Sequence, residues 1–427
     1  MTVKSRNTAG SGTTERGRPA GGHAGYRPGE PGYGRISVAL FAAGVATFAL
    51  LYSTQALLPE LARAFSVSAA DSTLSLSLAT AGLGVALLFT GPVSEVLGRT
   101  RLVHASLITS ALIGLACAAA PGWDALLTLR LLQGVALAGL PAVATAYLRE
   151  EMHPGGYART AGLYVGGNAL GGMTGRLITG AVADVAGWRW ALAAIAGVGL
   201  ACALLVLVLL PASRNFVPAP ARPRHLAAMT RRALSDPGLL ALYAIGACAM
   251  GAFVAVYNAI GFRLTAAPYQ LSLATAGLVF CVYPVGTVTS TLAGRAVGRF
   301  SRRTVVPAGC AIAMAGVLLT LLGPLPLVVL GIAVMTAGFF VVHGVASGWV
   351  PIRASAGGTG AAQAASLYLF AYYLGSSVFG GLAGRTWAAG AWPAVVALAL
   401  ALLAVCAGLT CWLRRIPALA GPGPARG

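Results

Sequence analysis

Apolar residues in this chain fall in long unbroken runs, neither at the three-to-four spacing of a surface helix nor in the alternation of a half-buried strand. Crossing about 30 Å of hydrocarbon takes roughly 20 helical residues. Runs of that order recur at 36–59, 72–93, 102–120, 124–148, 160–184 and 188–210. After a polar stretch they return at 238–262, 272–297, 304–323, 325–349, 360–385 and 391–413. The pattern predicts an all-α integral membrane protein with twelve transmembrane helices in two six-helix bundles, 36–210 and 238–413. Residues 1–35 carry basic residues among Gly, Pro, Thr and Ser with no apolar period, and are expected to form a disordered basic tail. The Pro- and Arg-rich segment 211–237 reads as a linker, and 414–427 as a second tail. The first apolar run is too long for a secretory signal core and is one of many.

Between the second and third runs lies a short charged turn, GPVSEVLGRTR, from Gly91 to Arg101. Moving 203 positions along the chain carries Gly91 onto Gly294, Val96 onto Arg299, Arg99 onto Arg302 and Thr100 onto Arg303. One copy of the turn per block of six runs is the mark of a secondary transporter built from two parallel bundles.

Composition agrees with the membrane assignment: 57% of residues are apolar, 9% are charged, and the mean hydropathy is +0.80. A net charge of +19 would suggest nucleic acid in a soluble chain. Here 23 of the 29 basic residues fall in the tails and the loops on one side, and four (Arg63, Arg189, Arg263, Arg385) on the other. That bias predicts a multi-pass cell-membrane protein with both termini cytoplasmic. Topology and anionic lipid then account for the charge, without a nucleic-acid partner. The seven cysteines all lie in apolar runs without metal-ligand spacing, and read as small packing residues rather than a metal site or disulfide frame.

Twelve helices as six plus six, a basic central linker and the repeated turn together resemble the major facilitator superfamily over residues 36–413. The signature loop of that family, G-x-x-x-D-R/K-x-G-R-x-R/K, is met by Gly91, Glu95, Gly98, Arg99 and Arg101, with Glu in place of Asp and Val96 in place of the basic residue. In the second copy the acid is replaced by Gly298 and the second glycine by Ser301. YSTQALLPELARAF at 52–65, GLYVGGNALGGMTGR at 162–176, and GFFVVHGVASGWV with QAASLYLFAYYLGSSV within 338–378 are similar to the YnfM-type, or acriflavine-sensitivity, branch. The resemblance implies efflux of a small drug-like or metabolite molecule in exchange for protons, with the proton gradient in place of any cofactor. It also implies a latch in which Glu95 meets the start of the eleventh helix near Gly360, with a basic residue such as Arg149 beside it, worth roughly 0.3–2 kcal/mol.

Two arginines fall inside the runs, Arg130 and Arg176, at a common depth of roughly 9–12 Å from the outer helix ends. A cation in hydrocarbon must face a wet cavity or a partner. Arg130 and Gln133, one turn apart, match the family's R-x-x-Q-G element, associated with proton movement; bonding to the carbonyls of a neighbouring helix is the alternative. Helix five carries a glycine seam of Gly162, Gly166, Gly167, Gly171, Gly172 and Gly175 that permits close packing. The exporter motif usually has Gly-Pro where this chain has Gly167-Asn168. None of the ten acids lies at mid-membrane depth, so a cavity holding Arg130, Arg176 and His343 favours neutral or anionic substrates. Proton-coupling candidates are Arg130, Gln133, His343, Asp124 and Asp184. Tyr52, Gln55, Asn168, Arg176, Tyr368, Tyr372 and Tyr373 are candidates to line the cavity.

The sequence offers no catalytic constellation, which disfavours a membrane enzyme. No segment outside the runs is large enough for a folded sensor domain, and proton-driven uptake remains the alternative direction. The chain is expected to act as a monomer. Because only the first copy of the turn has an acid, Glu95→Gln is expected to favour the state open towards the termini, and Gly298→Ala to matter less. Labelling of cysteines on the terminal side, equal in wild type and Glu95→Gln, would defeat this reading.

Overall fold

The computed structural model describes residues 25–217 and 223–416. Ten of its helices are long and apolar enough to cross a membrane. Pro154–Leu209 and Ala361–Leu413 run for 56 and 53 residues, and 56 residues would span about 84 Å, well beyond one bilayer. Each is broken where its backbone leaves the helical region, at Gly187 (φ 81°) and at Gly390 and Ala391. A positive φ carries no steric penalty at glycine, which suits Gly187 to the reversal. Parted there, the ten spans become twelve helical stretches, each long enough to cross a bilayer.

Helix one is Pro31–Ala64, two Ala69–Leu97, three Arg99–Ala118 and four Trp123–Glu151. Helices five and six are the halves of Pro154–Leu209. After the linker come helix seven, Pro237–Thr265, eight, Leu273–Arg299, nine, Arg302–Leu319, and ten, Leu325–Ala356. Helices eleven and twelve are the halves of Ala361–Leu413. An even number of crossings puts both described ends on one face, the terminal face; the opposite side is the far face.

Local chemistry sets the helix starts. Ser68 accepts the Asp71 N–H to cap helix two, Ser272 accepts that of Thr275 for helix eight, and Asp236 accepts that of Leu239 for helix seven. Asp236 also pairs with Arg353 at 2.7 Å, tying the start of helix seven to the end of helix ten. Gly98, at φ 91°, turns helix two into helix three.

The N-terminal tail is shorter than expected, and the linker is partly built into the fold. Residues 1–24 and 417–427 lie outside the described residues, but residues 25–35 are ordered. The Tyr26 N–H donates to the Glu151 carbonyl, the His153 N–H donates to that of Tyr26, and helix one begins at Pro31. The linker is structured in part. Glu151 accepts the N–H groups of Arg214 and Asn215, and Pro223–Ser235 is a helix whose Thr230 is bonded by Gln363 of helix eleven.

The glycine seam works through alternate members. A Cβ at Gly167, Gly171 or Gly175 would lie 2.4, 2.3 or 2.7 Å from backbone atoms of Phe41, Val45 and Ala49, so helices one and five touch backbone to backbone. Gly375 does the same for helices eleven and seven, against Ala247. Gly162 and Gly166 face open space and are not part of the contact. Gly171→Ala is therefore expected to cost about 1–3 kcal/mol by overpacking and to lower the melting temperature in detergent. Gly162→Ala should stay within about 0.5 kcal/mol of wild type.

Candidate substrate and gating site

Arg130 is fully buried and spends every guanidinium nitrogen. Nε donates to the Ser75 carbonyl (2.9 Å) and one terminal nitrogen to the Leu51 carbonyl (2.6 Å). The other reaches the Leu50 carbonyl (3.1 Å), Ser53 Oγ (3.2 Å) and Gln133 Oε1 (2.5 Å). Leu50 and Leu51 end the regular part of helix one, which re-forms after a turn at Gln55–Leu57. Helix-end carbonyls need partners in hydrocarbon; that of Leu50 is shared with the Ser53 hydroxyl (2.9 Å), and the cation meets the negative end of the helix dipole. The expected pairing of Arg130 with Gln133 is present, and the carbonyl-bonding alternative describes the remaining contacts. Asp124 lies at the exposed start of helix four and makes no bond to Arg130.

The turn in helix one delivers Tyr52 and Gln55 to the bundle interface. Gln55 Oε1 accepts from Arg176 Nε at 2.6 Å, and Gln55 Nε2 donates to Asn258 Oδ1 at 2.6 Å. Asn258 Nδ2 donates onward to the Gly380 carbonyl at 3.0 Å. This relay passes through helices five, one, seven and eleven, crossing from one bundle to the other. Gln55 and Asn258 are 203 residues apart, the displacement of the internal repeat. They are equivalent positions in the two halves and bond each other directly.

Arg176, fully buried, also donates to the Gly172 carbonyl and lies 4.2, 4.9 and 4.7 Å from the ring centroids of Tyr52, Phe280 and Tyr283. Tyr283 packs on Phe253 (5.9 Å) and Phe340 (6.4 Å), and on helix eleven Tyr372 packs on Tyr373 (5.1 Å) and Tyr368 (6.4 Å). His343 shares a hydrogen bond with Tyr368 (3.1 Å) and packs on Phe339 and Tyr372. The structure thus gathers Tyr52, Gln55, Arg176, His343, Tyr368, Tyr372 and Tyr373. Asn168 departs from the expected cavity: its side chain packs against Gly44 of helix one. Asn258, Tyr283 and Phe280 were missed. Applying the 203-residue displacement to Gln55 would have found Asn258; nothing in the sequence singled out the two rings.

Contacts between the bundles concentrate towards the far face. Thr73 donates to the Gly381 carbonyl, and Ser377 to that of Ser77. Nearer the surface Asp184 does not meet Arg176, as its sequence position suggested. Its two carboxylate oxygens accept the N–H groups of Leu273 (2.8 Å) and Ala274 (3.0 Å), so helix five caps helix eight across the interface. A cavity of about 810 Å³ opens beside this cap, lined from both bundles by Glu60, Arg63, Asp184, Thr265, Leu273 and Trp387 among others.

The terminal-face turn differs from expectation. Gly91 lies within helix two with open space beside it, and Gly98 alone makes the turn. Glu95 pairs with Arg99 at 2.6 Å, and Arg99 reaches Glu150 at 3.0 Å, all within one bundle. The start of helix eleven at Gly360 is approached instead by Met229 of the linker helix. Arg101 and Arg149 are exposed, and neither supports a cross-bundle contact. Among the described residues no group of three His, Cys, Asp or Glu is placed to hold a metal ion.

Comparison with known proteins bears on this arrangement. Residues 39–286 match the model of the Major Facilitator Superfamily. The chain is 40% identical to the uncharacterized MFS-type transporter YybF of Bacillus subtilis (strain 168), across 91% of this chain and 96% of that protein. It is 42% identical to the inner membrane transport protein YnfM of Escherichia coli (strain K12), across 88% and 90%. Among solved structures, a bacterial homologue of the human lysosomal transporter Spinster, inward-facing and unoccupied, shares the fold with a TM-score of 0.68 at 16% identity, covering 92% of this chain and 96% of that one. A mutant of the nucleoside transporter NupG gives 0.68 at 15%, covering 89% and 99%.

Asp184→Asn removes the charge from the far-face cap and leaves one good acceptor for two N–H groups. Discounted for solvent, the loss is about 0.5–1 kcal/mol. A cysteine at Thr265, in the far cavity, should then react about two- to fivefold faster with a thiol reagent applied to that face. The exposed Asp124→Asn should leave the rate unchanged.

Proposed function

The chain belongs to the major facilitator superfamily, and from that premise we propose that it exports a small drug-like or metabolite molecule in exchange for protons by alternating access. The observation that carries this is the asymmetric seal. Among the described residues, the hydrogen bonds that cross between the bundles, from Asp184 down to the Gln55–Asn258 pair, lie in the far half. A polar, aromatic centre sits behind them, and two bundles held along one edge in this way are the arrangement that rocking about a central site requires.

With the basic residues concentrated at the terminal face, that face is cytoplasmic and the conformation is inward-facing. The membrane is the cell's inner membrane, as the name of the Escherichia coli relative says of that protein. Energy comes from the proton gradient without a cofactor, and one chain in the bilayer suffices. His343, half-buried within the ring cluster, is the titrating group best placed to sense the bound molecule. Arg130 acts as a positioning residue, since its nitrogens are committed to helix one and to Ser75.

The test is a growth-inhibition panel on an efflux-deficient host expressing the chain, with and without a proton uncoupler. Export predicts raised tolerance to at least one compound, lost when the uncoupler is present. Increased sensitivity would mean uptake and overturn the direction; tolerance indifferent to the uncoupler would overturn the coupling.

A further inference from the structure

We infer that Arg176 is the recognition point for an aromatic anion, an aryl carboxylate or sulfonate, and that this anion loosens the far seal as it binds. The inference rests on the transport reading above and names the substrate class of the same site.

Arg176 is a fully buried cation whose acceptors are neutral. It is held by the Gln55 amide oxygen and the Gly172 carbonyl, and the ion pairs among the described residues all lie elsewhere. A cation in such surroundings attracts whatever negative charge reaches it. Arg130, the other arginine with no exposed surface, is not an equivalent site, because its nitrogens are fixed on backbone carbonyls that a ligand cannot replace without breaking helix one.

The rings fix the sign of the ligand. Three aromatic faces around one point would ordinarily recognise a cationic group. Here the guanidinium of Arg176 occupies the space between Tyr52, Phe280 and Tyr283 itself. A ligand cation would meet a cage already filled by a like charge, whereas an anion would meet its complement. The aryl part follows from the next layer: Tyr283, 4.7 Å from Arg176, packs edge-on to Phe253 and Phe340, and Phe253 stacks on Phe339, which lies on the His343 ring, so an aromatic surface begins at the arginine.

Gln55 connects recognition to the gate. A carboxylate is a stronger acceptor for a guanidinium than a carboxamide is, so an arriving anion displaces Gln55 Oε1 from Arg176. Gln55 is also the link to Asn258 and through it to Gly380. Freed from the arginine, it no longer holds the first strand of the relay across the two halves. The Asp184 cap and the Thr73 and Ser377 bonds remain, so the seal weakens without being abolished.

The test uses the full chain in phospholipid nanodiscs with three probes of one shape: 1-naphthoate, 1-naphthamide and 1-naphthylmethylammonium. Naphthoate is expected to bind at least about tenfold more tightly than the amide, the difference between a charge-assisted and a neutral contact, and the ammonium weakest. Arg176→Gln should level the acid and the amide. Gln55→Glu, which supplies the counter-charge from within and keeps the side-chain volume, should abolish naphthoate preference in a folded protein. It should also raise far-face labelling of a cysteine at Thr265 without ligand, as naphthoate does in the wild-type background. Equal binding of acid and amide, tighter binding of the ammonium, or naphthoate preference retained in Gln55→Glu would each overturn the proposal. Uncoupler-sensitive export of a neutral or cationic compound alongside any of these would leave the transport reading standing and remove only this one.

Discussion

Hydrocarbon offers a broken helix no water with which to satisfy its backbone, and the structure turns on how that demand is met in helix one. Helix one interrupts itself after Leu51, and the guanidinium of Arg130 takes the place of the next turn by bonding Leu50, Leu51 and Ser53. The fork of donors on one planar cation is suited to this, since a lysine could not reach carbonyls on helices one and two together. Gln133 holds the fork in place from one turn further along and is itself anchored on the Ser110 carbonyl of helix three. Without the interruption, helix one would not present Gln55 to the other bundle.

The second half solves the corresponding problem differently. Helix seven runs unbroken from Pro237 to Thr265, and among its contacts to helix ten is a hydroxyl pair, Tyr257 with Thr336 at 2.8 Å. Thr336 stands 203 positions after Gln133, so this duplicated position carries a different polar side chain with different partners in each half. Both fully buried arginines, Arg130 and Arg176, belong to the first bundle. The halves are equivalent again at the interface, where Gln55 and Asn258 bond each other and where Gly180 against Leu273 and Gly384 against Ala69 bring the helix ends together. The far seal is layered in depth: a carboxylate cap near water, hydroxyl-to-carbonyl bonds below it, and amides bonded to a caged cation at the bottom. Each layer uses charge where solvent reaches it or where rings and amides surround it.

On the terminal face the charged turn forms an internal network instead of a latch. Glu95 and Glu150 both converge on Arg99, and Glu151 holds the start of the linker. The family-based expectation of a contact between Glu95 and helix eleven concerned a meeting of the two bundles. In this conformation the turn is satisfied within its own bundle, and Met229 of the linker helix stands at Gly360.

The sequence by itself determined the membrane class, the crossings, the duplication and the two arginines that had to face inward, because each follows from local quantities: run length against bilayer thickness, a fixed displacement, and the cost of a cation in hydrocarbon. It placed helix boundaries within several residues, erring where short polar segments such as 25–30 dock on a neighbouring helix. Tertiary structure alone decided which acceptors those arginines take, that Asp184 caps helix eight, that Tyr283 and Phe280 complete the cage, and which face is sealed. Those outcomes include contacts between residues as far as 308 positions apart. They depend on how two bundles of nearly featureless apolar helices rotate and tilt against each other, and a hydropathy pattern that is greasy on every side carries little information about rotation.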